Sequence, residues 1–597
     1  MSNRKPYHEK TIKLIISLDV GTTWSGVSFS ILIPGRTPMA EPVTRYPGLE
    51  ECGGGTKIPT IIAYHPNGTI AAIGAEVNLA EPRQRSRWVV YEWFKLLLTP
   101  RSMAERVPPD VVRHIEIPHG KTPVILYADF FRYLFRCTKE FIRDTKIGGE
   151  QLLNTLIDKN RIEFVIPHPN GWEFEQQEQM KQAAVLGELI PDTSEGLARL
   201  HFVTEGEASL HFCIEKGLGV DLLADGVIIV DAGGGTIDIS AYCLKDSESN
   251  NMDVEEVCES HCKFAGSTFI TKKAREEIEA RFTGTRYHDD VENVVAAFDR
   301  RHKPHFRCSS EKAYISFASV RDNAPELGIY GGQLVLTGSL VVHRGCVLRA
   351  EISSFFDSSI QAIVQTIFHI TKEKRIMNLC LVGGLAASAW VFSRLQETLQ
   401  SSMRIYRPDA HLNKAAADGG ISFYIDHHVS VRVSKFTYGI LCHINFNNKD
   451  DEHMRRRNEV VMSDVGKQEF TDGFDIILKK GTAVSEETEF RRSYYVEKLD
   501  KDDPDLNRID EDILCYEGST AEPRWFNQTG SFRKICKIVA DVSRIKKKYS
   551  RKYESNNVYK IEYQIILFFG GPELKAQLCW VEQGAEKRSP AQVIYSH

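Results

Sequence analysis

The sequence has no GxxxxGK[ST] loop, no apolar run long enough to cross a bilayer and no strong charge of either sign. The first absence excludes a P-loop enzyme. The second excludes a membrane-spanning helix, which needs about 20 consecutive apolar residues. The third, a formal net charge of -5, excludes nucleic-acid binding driven by phosphate attraction. The opening residues MSNRKPYHEK lack the apolar core of a secretory signal, and the thirteen cysteines are scattered without dense short spacings. A reduced intracellular compartment, the cytoplasm and also the nucleus, is therefore expected. Cys258, His261 and Cys262 in CESHC have the residue types of a zinc site. No second pair follows at finger-like spacing, and only His201 or Cys213 could join them in space, so free thiols are expected. The Asn-x-Ser/Thr matches at Asn67 and Asn527 carry little weight without secretion.

What is present is a chain of 597 residues, 42% hydrophobic, more than one compact domain usually holds. Residues 12–20 and 26–33 are apolar stretches broken by GTT and read as a β-hairpin. A strand is expected at 59–64 and a helix at 123–142. IEFVIPHP (162–169) reads as a buried strand, 173–190 as an amphipathic helix, 200–204 as a strand, and 205–219 as a helix closed by glycine. GVIIVDAGGGTIDISAYCL (226–244) repeats the opening design of strand, aspartate, glycine turn, threonine and strand. Helices are expected at 268–283 and across most of 342–370. RIMNLCLVGGLAASAWVFSRLQETL (375–399) reads as strand, Gly-Gly turn and helix, and NKAAADGGISFYI (413–425) as a further helix. After about residue 430, β-like segments alternate with charged loops, and the basic stretch 544–553 reads as a hairpin surface.

LDVGTTWSG and VDAGGGTID share a physical logic. An apolar strand fixes a carboxylate, Asp19 or Asp231, at its carboxyl end, and the glycines let backbone amides approach an anion. The hydroxyls of Thr22, Thr23 and Thr236 can add hydrogen bonds. Two such hairpins facing one cleft could clamp a polyphosphate, with hydrated magnesium relieving its repulsion from the aspartates. Gly383-Gly384 makes a third, side-chain-free corner, suited to a nucleoside. Each turn alone could be structural; the three in order point to a nucleotide site.

With these residues in place, the chain resembles the seventy-kilodalton heat-shock chaperone family. LDVGTTWSG and VDAGGGTIDIS resemble its two phosphate motifs, LVGGLAAS its adenosine motif, NKAAADGGI the following segment and TEGEAS its connecting segment. The matches span roughly 12–430, and the closer resemblance is to a divergent branch of fungi and animals. The resemblance implies an α/β, actin-like or ribonuclease H-like two-lobed ATPase fold, with lobes at 12–225 and 226–430 and a divergent β-rich or mixed C-terminal domain at 431–597. It implies ATP or ADP and magnesium as ligands. Asp19, Asp231 and Glu205 would organise the metal through water, and Lys95 in WFKLLL would lie near the γ-phosphate. Gly21, Thr22, Thr23, Gly233, Gly234, Gly235 and Thr236 would hold phosphates, with Gly383 and Gly384 on the nucleoside side. Asp238 matches the acidic residue after the second threonine, and Trp24 takes the aromatic position of the first motif. Without the resemblance, Lys95 also reads as a surface lysine on an amphipathic helix, and Glu205 as a helix N-terminal carboxylate.

The departures are as specific as the matches. Gly206 and Glu207 replace the family's proline and threonine after the glutamate, which puts its interdomain relay in doubt. Leu385, Ala386 and Ala387 replace polar and arginine positions after the Gly-Gly turn. The ending VIYSH is not the acidic tail that recruits tetratricopeptide co-chaperones, and no long helical lid is legible. The expected activity is a slowly hydrolysing, chaperone-like ATPase switch, with a client or regulatory partner engaged through 431–597. A non-hydrolysing nucleotide-dependent scaffold and a small-molecule kinase of the same superfold are the alternatives.

Overall fold

The computed structural model describes residues 4–49, 55–100, 121–172, 174–246, 252–338, 341–343, 346–348, 352–408, 411–526, 531–553, 556–570, 573–590 and 592–593. The chain divides into two compact units, one of residues 1–254 with 260–429 and one of residues 255–259 with 430–597.

The first unit is mixed α/β and uses one strand arrangement twice. β1 (Lys13–Val20) and β2 (Trp24–Leu32) form the expected hairpin, with β3 (Glu41–Pro42) and β4 (Ile58–Pro59) antiparallel against β2. α1 (Pro123–Thr145) precedes β5 (Ile162–His168), which runs parallel to β1. α2 (Phe174–Leu186) leads to β6 (Leu200–Thr204), parallel to β5, and α3 (Glu205–Glu215) follows at once. The second half repeats this. β7 (Val227–Ala232) and β8 (Ile237–Leu244) form a hairpin, and β9 (His261–Lys263) lies antiparallel to β8. After α4 (Ser267–Phe282) and α5 (Asp357–Glu373), β10 (Asn378–Val382) runs parallel to β7. α6 (Ala389–Leu399) leads to β11 (Arg404–Tyr406), parallel to β10, and α7 (Ala415–Asp426) ends the unit. The strand orders are thus β3–β2–β1–β5–β6 and, with β9 pairing β8, β11–β10–β7–β8–β9.

Burial explains why these strands read as continuous apolar runs. Every residue of β7 and all but the first of β1 are buried, as expected for central strands covered on both faces. α1 starts at Pro123, whose missing N–H costs nothing there, and Thr122 caps it by accepting from the Ile125 N–H. α7 lies directly on α3, because Gly419 leaves no side chain where a Cβ would overlap the Ala208 carbonyl.

One expectation is extended and one reading is corrected. The region 342–370 is largely helical as expected, through Ile352–Phe355 and α5, and ahead of these Val341–His343 pairs antiparallel with Cys346–Leu348. The β-branched valines of VVH and CVL account for the strand preference. Residues 94–98 form a 3-10 helix in which Lys95 is buried, not an amphipathic helix presenting a surface lysine.

The second unit is built on two antiparallel sheets. β12 (Thr437–Asn445), β13 (Gln468–Leu478), β15 (Arg508–Tyr516) and β16 (Phe532–Asp541) form one, in the order β13–β12–β15–β16. β14 (Glu489–Lys498), β17 (Lys548–Tyr553), β18 (Asn556–Gly570) and β19 (Glu573–Glu582) belong to the other, ordered β14–β18–β19 with β17 on β18. The basic stretch therefore includes a hairpin strand, with Lys548 paired to Glu562. Among the described residues of this unit the α-helix is the single turn Asp451–Arg455. No described helix is long and apolar enough to cross a membrane.

Candidate functional site

The repeated topology puts two carboxylates in equivalent places. Asp19 is the penultimate residue of β1 and Asp231 the penultimate residue of β7, each followed by its glycine turn. Both are buried, with Asp19 4% and Asp231 6% exposed. The two turns face each other at close range. A Cβ on Gly234 would overlap Thr23 Oγ1, and one on Gly235 would overlap Thr22 Oγ1. Glycine here is what lets the two turns approach, with the threonine hydroxyls against the opposite glycines. Thr22 and Thr236 are buried, whereas Trp24 is half exposed at the start of β2. Gly21 bends the first turn, where a Cβ would overlap the Trp24 carbonyl. The second turn closes on the Gly233 N–H to Thr236 carbonyl bond of 2.9 Å, and the first turn of α4 seals it through Thr268 N–H to Gly234 O at 2.9 Å.

α3 supplies the next groups. Thr204 caps it by accepting from the Glu207 N–H at 3.2 Å, so Glu205 stands in its first turn. Glu205 accepts from Lys95 Nζ at 2.6 Å, and one turn further along Ser209 Oγ donates to Asp231 Oδ2 at 2.6 Å. Burial opposes the Lys95 charge, but Glu205, Tyr127 and Asp19 outweigh it and the ammonium is held more strongly protonated than usual. Asp231 goes the other way. Burial first, then the Glu205 and Asp19 carboxylates, push its pKa up to about 7, against relief from Ser209 and Lys57.

Asp238 is buried opposite Asp231 in the β7–β8 register and accepts from the Asn170 N–H at 2.6 Å. Burial, with Glu205 adding to it, raises its pKa. Asn170 in turn donates to Ser240 Oγ at 2.9 Å and accepts from the Gly206 N–H at 3.1 Å. That network explains Gly206 itself. A proline would lose the N–H, and any Cβ would overlap Ser240 Oγ.

The third corner is Gly383, at φ +91°, where a Cβ would overlap Asp231 Oδ1. The structure thus joins the Gly383 turn to Asp231. Gly384 is different, with open space where its Cβ would stand. Leu385 and Ala386 are buried in a 3-10 turn, and Arg407, poised 4.5 Å above the Phe392 ring, donates to the Ala386 carbonyl at 3.3 Å.

Three groups beyond those the sequence predicts stand at the site, of which Lys57 and Tyr127 lie outside the sequence motifs and Lys414 lies within NKAAADGGI. Lys57 Nζ lies 2.6 Å from Asp19 Oδ2. Lys414 is buried and donates to the Val27 carbonyl at 2.8 Å. The Tyr127 hydroxyl is buried near Lys95, Glu205 and Asp19 without a hydrogen-bond partner among the described residues.

Among the described residues, no three His, Cys, Asp or Glu side chains form a group able to hold a metal ion directly. In the CESHC segment neither Cys258 nor Cys262 is in a disulfide, and His201 pairs with Glu163 at 2.7 Å. Asn67 accepts from Thr69 in a surface turn, and Asn527 lies outside the described residues. No protein-family model matches the chain, and no curated protein matches it.

Proposed function

We propose that the first unit is an actin-like, two-lobed magnesium–ATP site and that the chain is a slowly hydrolysing, chaperone-like conformational switch, a divergent relative of the seventy-kilodalton heat-shock chaperones. The observation that carries this reading is the facing of Thr22 and Thr23 against Gly235 and Gly234, with a buried aspartate behind each turn. The strand arrangement used twice supports it, since the two turns that meet each follow the equivalent strand of a similar hairpin. So does the glycine cradle itself, which fits an anion held by amides.

In this reading the loop amides and the hydroxyls of Thr22, Thr23 and Thr236 hold the phosphates. Asp19, Asp231 and Glu205 would hold a magnesium ion through its waters, since this cation keeps much of its hydration shell. Magnesium, when bound, supplies charge neutralisation of the phosphates. Lys95, held by Glu205, would stand near the transferred group with water as the acceptor, so that catalysis would rest on positioning and charge stabilisation. The second unit would engage a client or regulatory partner, with the family's proline-based relay replaced by the Gly206–Asn170–Asp238 network.

A second reading, a nucleotide-dependent scaffold without turnover, is favoured by one observation: the apolar Leu385 and Ala386 bury the turn where polar nucleoside contacts would stand. Calorimetry of ATP with magnesium, with turnover followed on the same sample and Asp19→Ala and Asp231→Ala as controls, separates them. Binding with slow, mutation-sensitive hydrolysis supports the switch, and binding without hydrolysis the scaffold. Absence of binding overturns both.

A further inference from the structure

We infer that Lys57 is a phosphate-binding residue of this site, one that pairs with Asp19 and exchanges that carboxylate for a phosphate oxygen when a metal–nucleotide binds. The inference rests on the nucleotide reading above and adds a residue and an order of events to it.

Lys57 is fixed to the first phosphate turn by backbone pairing. It immediately precedes β4, whose Ile58 and Pro59 pair with Ser25 and Trp24 at the start of β2. The Thr60 N–H donates to the Thr23 carbonyl at 2.9 Å, and the Ser25 and Thr60 hydroxyls lie 2.7 Å apart. The lysine stem then crosses Gly26, where a Cβ would stand 3.0 Å from Lys57 Cγ, and carries Nζ to 2.6 Å from Asp19 Oδ2. Both side chains are largely buried, at 12% and 5% exposure. A lysine held this tightly beside the turn proposed to cradle phosphate is within side-chain motion of any anion that enters it.

The neighbouring charges say what that motion exchanges. Two of the three carboxylates proposed to organise magnesium already hold an ammonium: Asp19 has Lys57, and Glu205 has Lys95. Among the described residues no lysine or arginine forms an ion pair with Asp231. A free divalent cation entering this cleft must break an ion pair to reach Asp19, and the displaced ammonium is left without a partner in a buried place, which is costly. A metal–triphosphate removes that obstacle because it brings anionic oxygens with it. Asp19 then accepts from the metal's waters while Lys57 Nζ donates to a phosphate oxygen. No covalent bond changes and the number of protons is conserved. Lys57 is thereby the reason that metal and nucleotide bind together.

The test uses the full chain, with manganese as a spin-active probe of the cation site and ATP measured calorimetrically both in EDTA and with magnesium. In the parent protein, ADP should tighten Mn2+ binding by about tenfold or more, the scale of one charge-assisted hydrogen bond gained. Lys57→Met should move two affinities in opposite directions: free Mn2+ binds more tightly, because Asp19 is released, and metal-free ATP binds about tenfold or more weakly. Lys57→Arg should restore the ATP affinity. A purely structural lysine would instead lower both affinities together or neither. Unchanged metal-free ATP binding in Lys57→Met overturns the inference and leaves the nucleotide reading standing. Should the methionine variant not fold, the parent measurement decides: Mn2+ binding indifferent to ADP overturns the inference. A parent that binds no nucleotide overturns it together with the reading it rests on.

Discussion

Gly235 backs directly onto Thr22, so that a methyl group at residue 235 would overlap Thr22 Oγ1 and lie 3.0 Å from its Cβ and 3.1 Å from its Cγ2. Rotation of the threonine offers no escape, since it exchanges one crowded atom for another. Gly235→Ala should therefore destabilise the chain by about 1–3 kcal/mol, the cost of overpacking. Thr22→Ala removes the two outer atoms, so the double variant should recover part of the loss, with a coupling of at least roughly 0.5 kcal/mol. Urea unfolding of the two single variants and the double variant measures it. Strict additivity would mean that the two turns do not meet.

Asp231 links the pH dependence of stability to ligand binding. Its folded pKa, pushed up to about 7 by burial and by Glu205, lies above the unfolded value of about 3.9. Between those values the folded chain holds more protons than the unfolded one, so this group's contribution falls as pH rises and its full cost is present above pH 7. Asp231→Asn removes the charge and keeps an acceptor for Ser209. It should raise the stability of the ligand-free protein at pH 8 by roughly 1–4 kcal/mol and flatten the decline between about pH 4 and pH 7, while abolishing magnesium-dependent nucleotide binding. A variant less stable than the parent at pH 8 would contradict this account.

The parts of this site that are legible in sequence are local. LDVGTT and DAGGGT each compress strand end, carboxylate and turn into a few consecutive residues, and the apolar runs before them reflect strands buried on both faces. The partners are not local. Lys57 and Asp19 are separated by 38 positions, Asn170 and Asp238 by 68, and Lys95 and Glu205 by 110. Lys57 and Asn170 sit in unremarkable surroundings, KIPT and HPNG, so only the pairing of β4 with β2 and the end of β5 bring them in. Lys95 is ambiguous in sequence for the same reason: WFKLLL fits an amphipathic surface helix as well as the buried 3-10 turn it forms. The valines of 341–348 were masked by the strongly helical sequence that follows them.

Tyr127 isolates the contribution of one hydroxyl. Its ring is held edge-on by Phe94 and Phe131, each with centroids 5.6 Å away, so removing the oxygen leaves the packing intact. That oxygen is buried without a partner among the described residues, and an unsatisfied polar atom of this kind costs about 1–3 kcal/mol. Tyr127→Phe should leave the ligand-free protein as stable as the parent or more so. Its thermal shift on adding magnesium–ATP should be smaller, since a hydroxyl near Lys95 and Glu205 can bond an incoming oxygen or its water. Loss of ligand-free stability would show that the hydroxyl is already bonded.

Lys414 tests the same physics with the opposite charge. Burial drives its pKa down to about 8, and Lys57 adds to the repulsion, while Asp418 and Asp19 only partly compensate. The unfolded lysine titrates near 10.4, about two units higher. Between pH 8 and about 10.4 the unfolded chain therefore binds more protons, and this group makes stability rise with pH across that window. Below pH 8 its cost is fully present. Lys414→Met removes the buried charge and keeps much of the stem. The Val27 carbonyl is not orphaned, because the Val43 N–H still donates to it at 2.9 Å. The variant should be more stable than the parent at pH 7 by roughly 1–3 kcal/mol, with the difference shrinking toward pH 10. Urea midpoints at pH 7 and pH 9.5 for the two proteins measure both effects. If the methionine variant were instead the less stable at pH 7, the ammonium would be contributing more through Asp418 and the Val27 carbonyl than its burial costs, and it would belong with Lys95 among the stabilising cations of the cleft.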